Sequence, residues 1–129
     1  MTAAVLDASA LLALLLDEPG GDAVAAVLAD PAISTVNFCE VVGHLARNGA
    51  PAETVREILE PLPLAQHAFD EEAAYLAGLL VPMTRTLGLS LGDRACLTLG
   101  RRLGVKVLTA DRAWSSLGGE AGVAIVTIR

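Results

Sequence analysis

Four acidic residues, Asp7, Glu40, Asp93 and Asp111, are spaced so that they can share one task. Asp7 follows a short apolar run at residues 3–6, and Asp111 follows another at residues 105–109. Runs of that kind suit fully buried parallel strands, and ligands in open α/β sheets bind beyond the carboxyl ends of such strands. Glu40 and Asp93 each come three residues after a helix-starting residue, Asn37 and Ser90, which puts both acids in the first turn of a helix. Three or four carboxylates are thereby drawn toward one point. Two of them about 4 Å apart repel by roughly 4 kcal/mol at an effective dielectric of about 20, so a cluster needs a cation to hold it. An all-oxygen donor set suits Mg²⁺ or Mn²⁺. Neither His44, one turn after Glu40, nor His67, in an expected loop, is placed to make a zinc centre. Ser9, two residues after Asp7, is expected to cap the helix that follows and can also support a metal-held water. Arg94, Arg101, Arg102 and Arg112 flank the acids and can meet phosphates or form a solvated helix face.

Each acid has a purely structural reading as well. Asp93 completes a capping box begun by Ser90, and Glu40 does the same for Asn37. Asp111 suits an Asx turn after its strand, and Asp7 suits the turn before Ser9. Taken singly, such spacings are common and local. What the local readings leave unexplained is the convergence of all four on one edge.

The elements that must position them follow from periodicity. A strand at residues 3–6 leads to a helix at residues 10–16, and Pro19, Gly20 and Gly21 then break the chain. Asp22 opens a second helix that Pro31 closes, residues 33–36 read as the next strand, and Asn37 caps a helix with Phe38, Val41, Val42 and Leu45 on its apolar face. A helix at residues 51–60 turns Val55, Ile58 and Leu59 inward, and residues 62–65 form an edge strand crowded by Pro61 and Pro63. Asp70 caps a helix striped by Ala73, Ala77, Leu80 and Val81, which Pro82 ends or kinks, and a short helical piece runs on to Leu87. The helix begun by Ser90 carries Leu91, Ala95, Cys96, Leu99 and Leu103 on one face, Gly104 stops it, and the strand at residues 105–109 follows. Trp114 is expected in the core, with a glycine-bearing loop and a last strand at residues 123–128 after it. Strands alternating with helices predict an α/β fold: a three-layer domain with a central, mainly parallel sheet of four or five strands flanked by helices.

The 129 residues fit a single domain spanning residues 1–129. Hydrophobic residues make up 53% of the chain and mean hydropathy is +0.56, more apolar than a small monomer readily hides, which predicts a partner surface. A net charge of −6 argues against gripping nucleic acid through basicity, though not against an enzyme that holds metal with its acids. Cys39 and Cys96 form no close-spaced motif and read as two buried small hydrophobes. The opening MTAAVLDASALLALLL lacks a basic start and carries Asp7, so it is not read as a secretion signal. Its apolar run at residues 10–16 is too short to cross a bilayer, and a cytoplasmic protein with no membrane contact is expected.

At the four acids the sequence resembles the PIN-domain family, and within it the VapC-type toxins of bacterial toxin-antitoxin pairs. The matching stretches are VLDASALLALLLDEPG with Asp7 and Ser9, STVNFCEVVGHL with Glu40, LSLGDRACLTLGRRLG with Asp93, and VKVLTADRAW with Thr109, Asp111 and Trp114. The likeness runs through essentially the whole chain. It implies five parallel strands and a Mg²⁺- or Mn²⁺-dependent endoribonuclease, in which Asp7, Glu40 and Asp93 match the core acidic triad and Asp111 a more variable fourth acid. On that reading Asp7 and Asp93 bind metal directly, Glu40 and Asp111 hold a second ion or ordered water, Ser9 and Thr109 support them, and Arg94 and Arg112 meet RNA phosphate. The resemblance also implies a homodimer and a cognate antitoxin as partner, with RNA as substrate. Two alternatives stand beside it. One is a PIN fold that binds antitoxin or RNA without cutting. The other is a haloacid-dehalogenase-like phosphatase, which wants a second Asp where Ser9 stands and a site lysine, whereas Lys106 lies within a strand.

Overall fold

A computed structural model describes residues 2–129. Its sheet has five strands, β1 (Ala4–Leu6), β2 (Pro31–Ser34), β3 (Ala65–His67), β4 (Val107–Thr109) and β5 (Ile125–Thr127), all parallel and ordered β3-β2-β1-β4-β5. The three central strands are buried along their whole length, while β3 and β5 at the edges are largely open. Because side chains alternate across a strand, the sheet divides the core into two. Ala4, Leu6, Ile33 and Leu108 face one side, packed with Leu11, Val24, Val41, Leu45, Val55 and Leu59. Val5, Ala32 and Val107 face the other, packed with Leu80, Cys96, Leu97, Leu99, Trp114 and Leu117.

The first face is covered by α1 (Ala8–Leu15), α2 (Gly21–Ala25), α3 (Thr35–Arg47) and α4 (Ala52–Leu59). The second is covered mainly by α7 (Leu91–Leu103) and a 3₁₀ run at Arg112–Ala121. Between the two groups come α5 (Glu71–Leu79), α6 (Val81–Thr84) and a 3₁₀ turn at Arg85–Leu87. This is the three-layer α/β arrangement expected from the sequence. The chain builds outward from β1 to β2 and β3, then crosses back to lay β4 on the free side of β1. The crevice between β1 and β4 is therefore the point where the winding direction reverses.

Several boundaries move relative to the expectation, each for a local reason. Helix α1 starts at Ala8 because Asp7, not Ser9, caps it by accepting the Ala10 N–H. Pro31 does not close the second helix but opens β2, a first-residue position where its missing N–H costs no ladder bond. Helix α3 begins two residues before Asn37, with Ser34 as cap accepting the Val36 N–H, so Val36 is helical and not strand. Pro61 and Pro63 lack N–H donors, and pairing with β2 starts past them at Ala65, which puts His67 in β3 instead of a loop. The expected loop after Trp114 is the 3₁₀ run, the strand expected at residues 105–109 starts two residues later at Val107, and the one expected at residues 123–128 is shorter at both ends. Ile58, Val81 and Leu91, read as inward, are exposed, and so is Cys39, read as buried, because it lies on the solvent side of α3. Trp114 is fully buried, as expected.

Helix α7 lies against β4 through Gly100, whose absent side chain is what allows the approach. A Cβ there would stand 2.5 Å from Val107 Cγ1 and 2.9 Å from Val123 Cγ2. Gly100→Ala is accordingly expected to lower the urea midpoint at unchanged slope, at a cost of about 1–3 kcal/mol for overpacking. A midpoint equal to the wild type would show that α7 is not held this close.

Candidate functional site at the carboxyl edge of the sheet

Asp7 is 5% exposed at the end of β1 and is placed by the same backbone turn that starts α1. Its Oδ1 accepts the Ser9 hydroxyl at 2.7 Å and the Ala10 N–H at 2.8 Å, and its Oδ2 accepts the Thr109 hydroxyl at 2.6 Å. All three donors are neutral. Both hydroxyl protons are thus committed to Asp7, so the 3.5 Å approach of Ser9 Oγ to Thr109 Oγ1 is proximity without a bond. Thr109 Oγ1 accepts the Asp111 N–H and Ser9 Oγ accepts the Ala110 N–H, which ties the end of β4 to the start of α1. Burial pushes the Asp7 carboxyl up to about 6, against the lowering effect of these hydrogen bonds and with a further raising contribution from the charge of Asp93.

Asp93 sits at the third position of α7, where Ser90 and Asp93 form a capping box: Asp93 Oδ2 accepts the Ser90 N–H and Ser90 Oγ accepts the Asp93 N–H. The structural and the functional readings of Asp93 are therefore compatible. Cys96, fully buried less than one turn further on, has its thiol raised by burial first and then by Asp7, Asp93 and Glu40. Those three acids lie within electrostatic reach of one buried point.

Glu40 is held toward that point by a route the sequence reading missed. Asn37, expected as a cap, is instead inside α3 and 1% exposed; its Nδ2 donates to Glu40 Oε1 at 3.0 Å and to the Gly92 carbonyl at 2.9 Å. The Glu40 carboxylate then lies over Gly92, so that a Cβ on Gly92 would come within 2.6 Å of Glu40 Cδ. The Asn three residues before Glu40 and the Gly immediately before Asp93 were the available signals.

Asp111 stands apart from the other three. It is exposed and caps the 3₁₀ run, its Oδ1 accepting the Ala113 N–H, and it joins Asp7 through Thr109 alone. Among the described residues no group of three or more His, Cys, Asp and Glu side chains is gathered closely enough to hold a metal ion. The acids share an edge without closing on one point, a spacing that their mutual repulsion favours. The donor chemistry is nevertheless that of a hard divalent cation: carboxylates, hydroxyls and an amide, around a buried anion whose bonded partners carry no positive charge.

The flanking cations are less free than expected. Arg94 is half-buried and donates to the Ala77 carbonyl of α5, so it secures α7 to α5. Arg102 pairs with Asp70, while exposed Arg112 spends its Nε on the Arg129 carbonyl. His44 lies 3.3 Å from the Arg47 guanidinium.

Because the Asp7 carboxyl is raised, the folded chain holds a proton that the unfolded chain has lost between pH values of about 4 and about 6. Stability from the neutral form is complete below that window and lost as pH rises through it, on the order of 3 kcal/mol. Asp7→Asn keeps the Oδ1 acceptor and offers Thr109 a donor. In EDTA it is expected to be more stable than wild type at pH 7.5, with the gap closing by pH 4, measured by urea unfolding. A variant less stable than wild type at pH 7.5 would contradict this.

The PIN domain profile matches residues 4–120. No curated protein matches the sequence. Among solved structures, the fold is similar to DNA-bound VapBC from Salmonella typhimurium at 16% identity, a TM-score of 0.75 and full coverage of both chains. A toxin-antitoxin complex from Klebsiella pneumoniae gives 17%, 0.72 and 98% of each chain. VapBC-5 from Mycobacterium tuberculosis gives 21%, 0.65, and 98% of this chain with 99% of its own. With the profile spanning nearly the whole sequence and the acids of the resemblance at the carboxyl edge of a five-stranded parallel sheet, the chain belongs to the PIN-domain family.

Proposed function

We propose that this protein is a VapC-type toxin: an endoribonuclease that uses Mg²⁺ or Mn²⁺ and is held in check by a cognate antitoxin. The observation that carries the reading is the buried Asp7 carboxylate at the strand-order reversal, with Asp93 and Glu40 within electrostatic reach. Asp7 and Asp93 would hold the ion, with Glu40 and Asp111 toward a second ion or its waters. A divalent cation bound there supplies an activated water and offsets charge on the phosphodiester. The chain's own residues do the rest. Ser9 and Thr109 fix the plane of the Asp7 carboxylate, and Thr109 also fixes the backbone of Asp111. Arg112, beside Asp111 and exposed, has N–H groups left for an RNA phosphate. The family resemblance implies 5′-phosphate and 3′-hydroxyl ends, and with water as nucleophile no general-base histidine is required. Recognition is of shape and unpaired bases in structured RNA.

Two apolar surfaces support the partners. A concave groove of about 560 Å³ between α3 and α4, lined by Phe38, Val42, Val55, Leu59, Leu62 and Leu64, suits a segment of the antitoxin. Tyr75 and Leu79, spaced one turn apart on α5 and 65% and 74% exposed, suit a second copy of the chain. Similar folds solved as toxin-antitoxin complexes are consistent with the first. No helix among the described residues is long and apolar enough to cross a membrane.

Cleavage of total RNA in Mg²⁺ or Mn²⁺ against EDTA tests the activity. Discrete metal-dependent fragments are expected, reduced roughly 100-fold or more in Asp7→Ala and in Asp93→Asn, the scale set by removing electrostatic stabilisation at a reacting centre. Failure of folded, antitoxin-free protein to cut any RNA pool would favour the non-catalytic binding module. Leu79→Asp is expected to convert a dimer to a monomer in light scattering; an unchanged mass would place the interface elsewhere.

A further inference from the structure

We infer that Asn37 and Gly92 form a seat that sets where the Glu40 carboxylate lies beside Asp93, and that this seat governs divalent-cation binding. Three observations meet here. Asn37 is 1% exposed and its amide orientation is fixed, because both of its hydrogen-bond neighbours, Glu40 Oε1 and the Gly92 carbonyl, can only accept. The opposite side of that amide, Oδ1, is buried with no partner among the described residues, a cost that the two Nδ2 bonds have to offset. Gly92 has no room for a side chain because the Glu40 carboxylate occupies that space. Gly92 is buried in the first turn of α7, one residue before Asp93. The seat therefore joins α3 to α7 and sets the Glu40 carboxylate against the residue that precedes Asp93, the acid whose charge Asp7 feels. Asn37 and Gly92 touch neither substrate nor ion; they are positioning residues that act through Glu40.

The inference rests on the proposed metal-dependent activity for its purpose, but the seat itself is tested without it. Gly92→Ala places a methyl group against the Glu40 carboxylate, while alanine at a helical position is ordinarily favourable relative to glycine. In the wild-type background the substitution should displace Glu40 and leave the melting temperature unchanged or lower. In a Glu40→Ala background, where the space is free, it should raise the melting temperature. Equal shifts in the two backgrounds would overturn the seat. For its role, Mn²⁺ titration followed by electron paramagnetic resonance should give affinity about 10- to 100-fold weaker in Gly92→Ala and in Asn37→Ala, the usual cost of losing a group that orients a metal ligand. Neither substitution should weaken binding further once Glu40 is alanine. Wild-type Mn²⁺ affinity in both variants would overturn the role, as would equal losses with and without Glu40, which mark a general packing defect. If wild-type protein bound no Mn²⁺ and cut no RNA, the proposed function would fall and the seat's role with it, while the thermal comparison would still decide whether the seat exists.

Discussion

The Asp7 carboxylate is taken almost wholly out of water and given three neutral hydrogen-bond donors in exchange, with another carboxylate close by. That is an unfavourable place for a negative charge, and the fold is arranged around tolerating it. The donors come from two distant parts of the chain: Ser9 and Ala10 from the start of α1, Thr109 from the end of β4. Pairing of β1 with β4 is what brings them together, with Leu6 opposite Leu108 and the Asp7 N–H donating to the Leu108 carbonyl one step further. The cost is local, and the buried faces of β1 and β4 carry it because their side chains are packed on both sides of the sheet.

Helix α7 answers the same constraint from the opposite direction. Its capping box uses Asp93 to satisfy the Ser90 N–H, so one residue starts a helix cleanly and presents charge at the sheet edge. Its glycines are spaced for contact: Gly92 toward α3, Gly100 toward the sheet. The helix thereby sits close to two neighbours at once. A larger residue at either place would open the edge where the acids lie.

Much of this was legible in the residues. The alternation of buried runs with helical stripes gave the layers, and the acids after the two central strands gave the edge, because both are local consequences of period and position. What periodicity could not resolve was which polar residue starts a helix. Asp7 and Ser9, and likewise Ser34 and Asn37, are all good caps, and the choice was made by tertiary pairing: Thr109 orients Asp7, and Gly92 draws Asn37 inward. Arg94 was equally opaque, since its alternatives, phosphate or the Ala77 carbonyl, depend on where α5 lies. The family assignment removes the phosphatase alternative, which the residues alone had left standing.

The strand order has a consequence for synthesis. β1 and β2 can pair as soon as the first third of the chain exists, and β3 can join them from the outer side. The place beside β1 stays open until β4, the fourth strand in sequence, arrives to fill it. Since Thr109 completes the surroundings of Asp7, no nascent or truncated chain ending before β4 assembles the acidic edge in its final form. The acidic edge is therefore completed nearly last, once all but about the final sixth of the chain has been made.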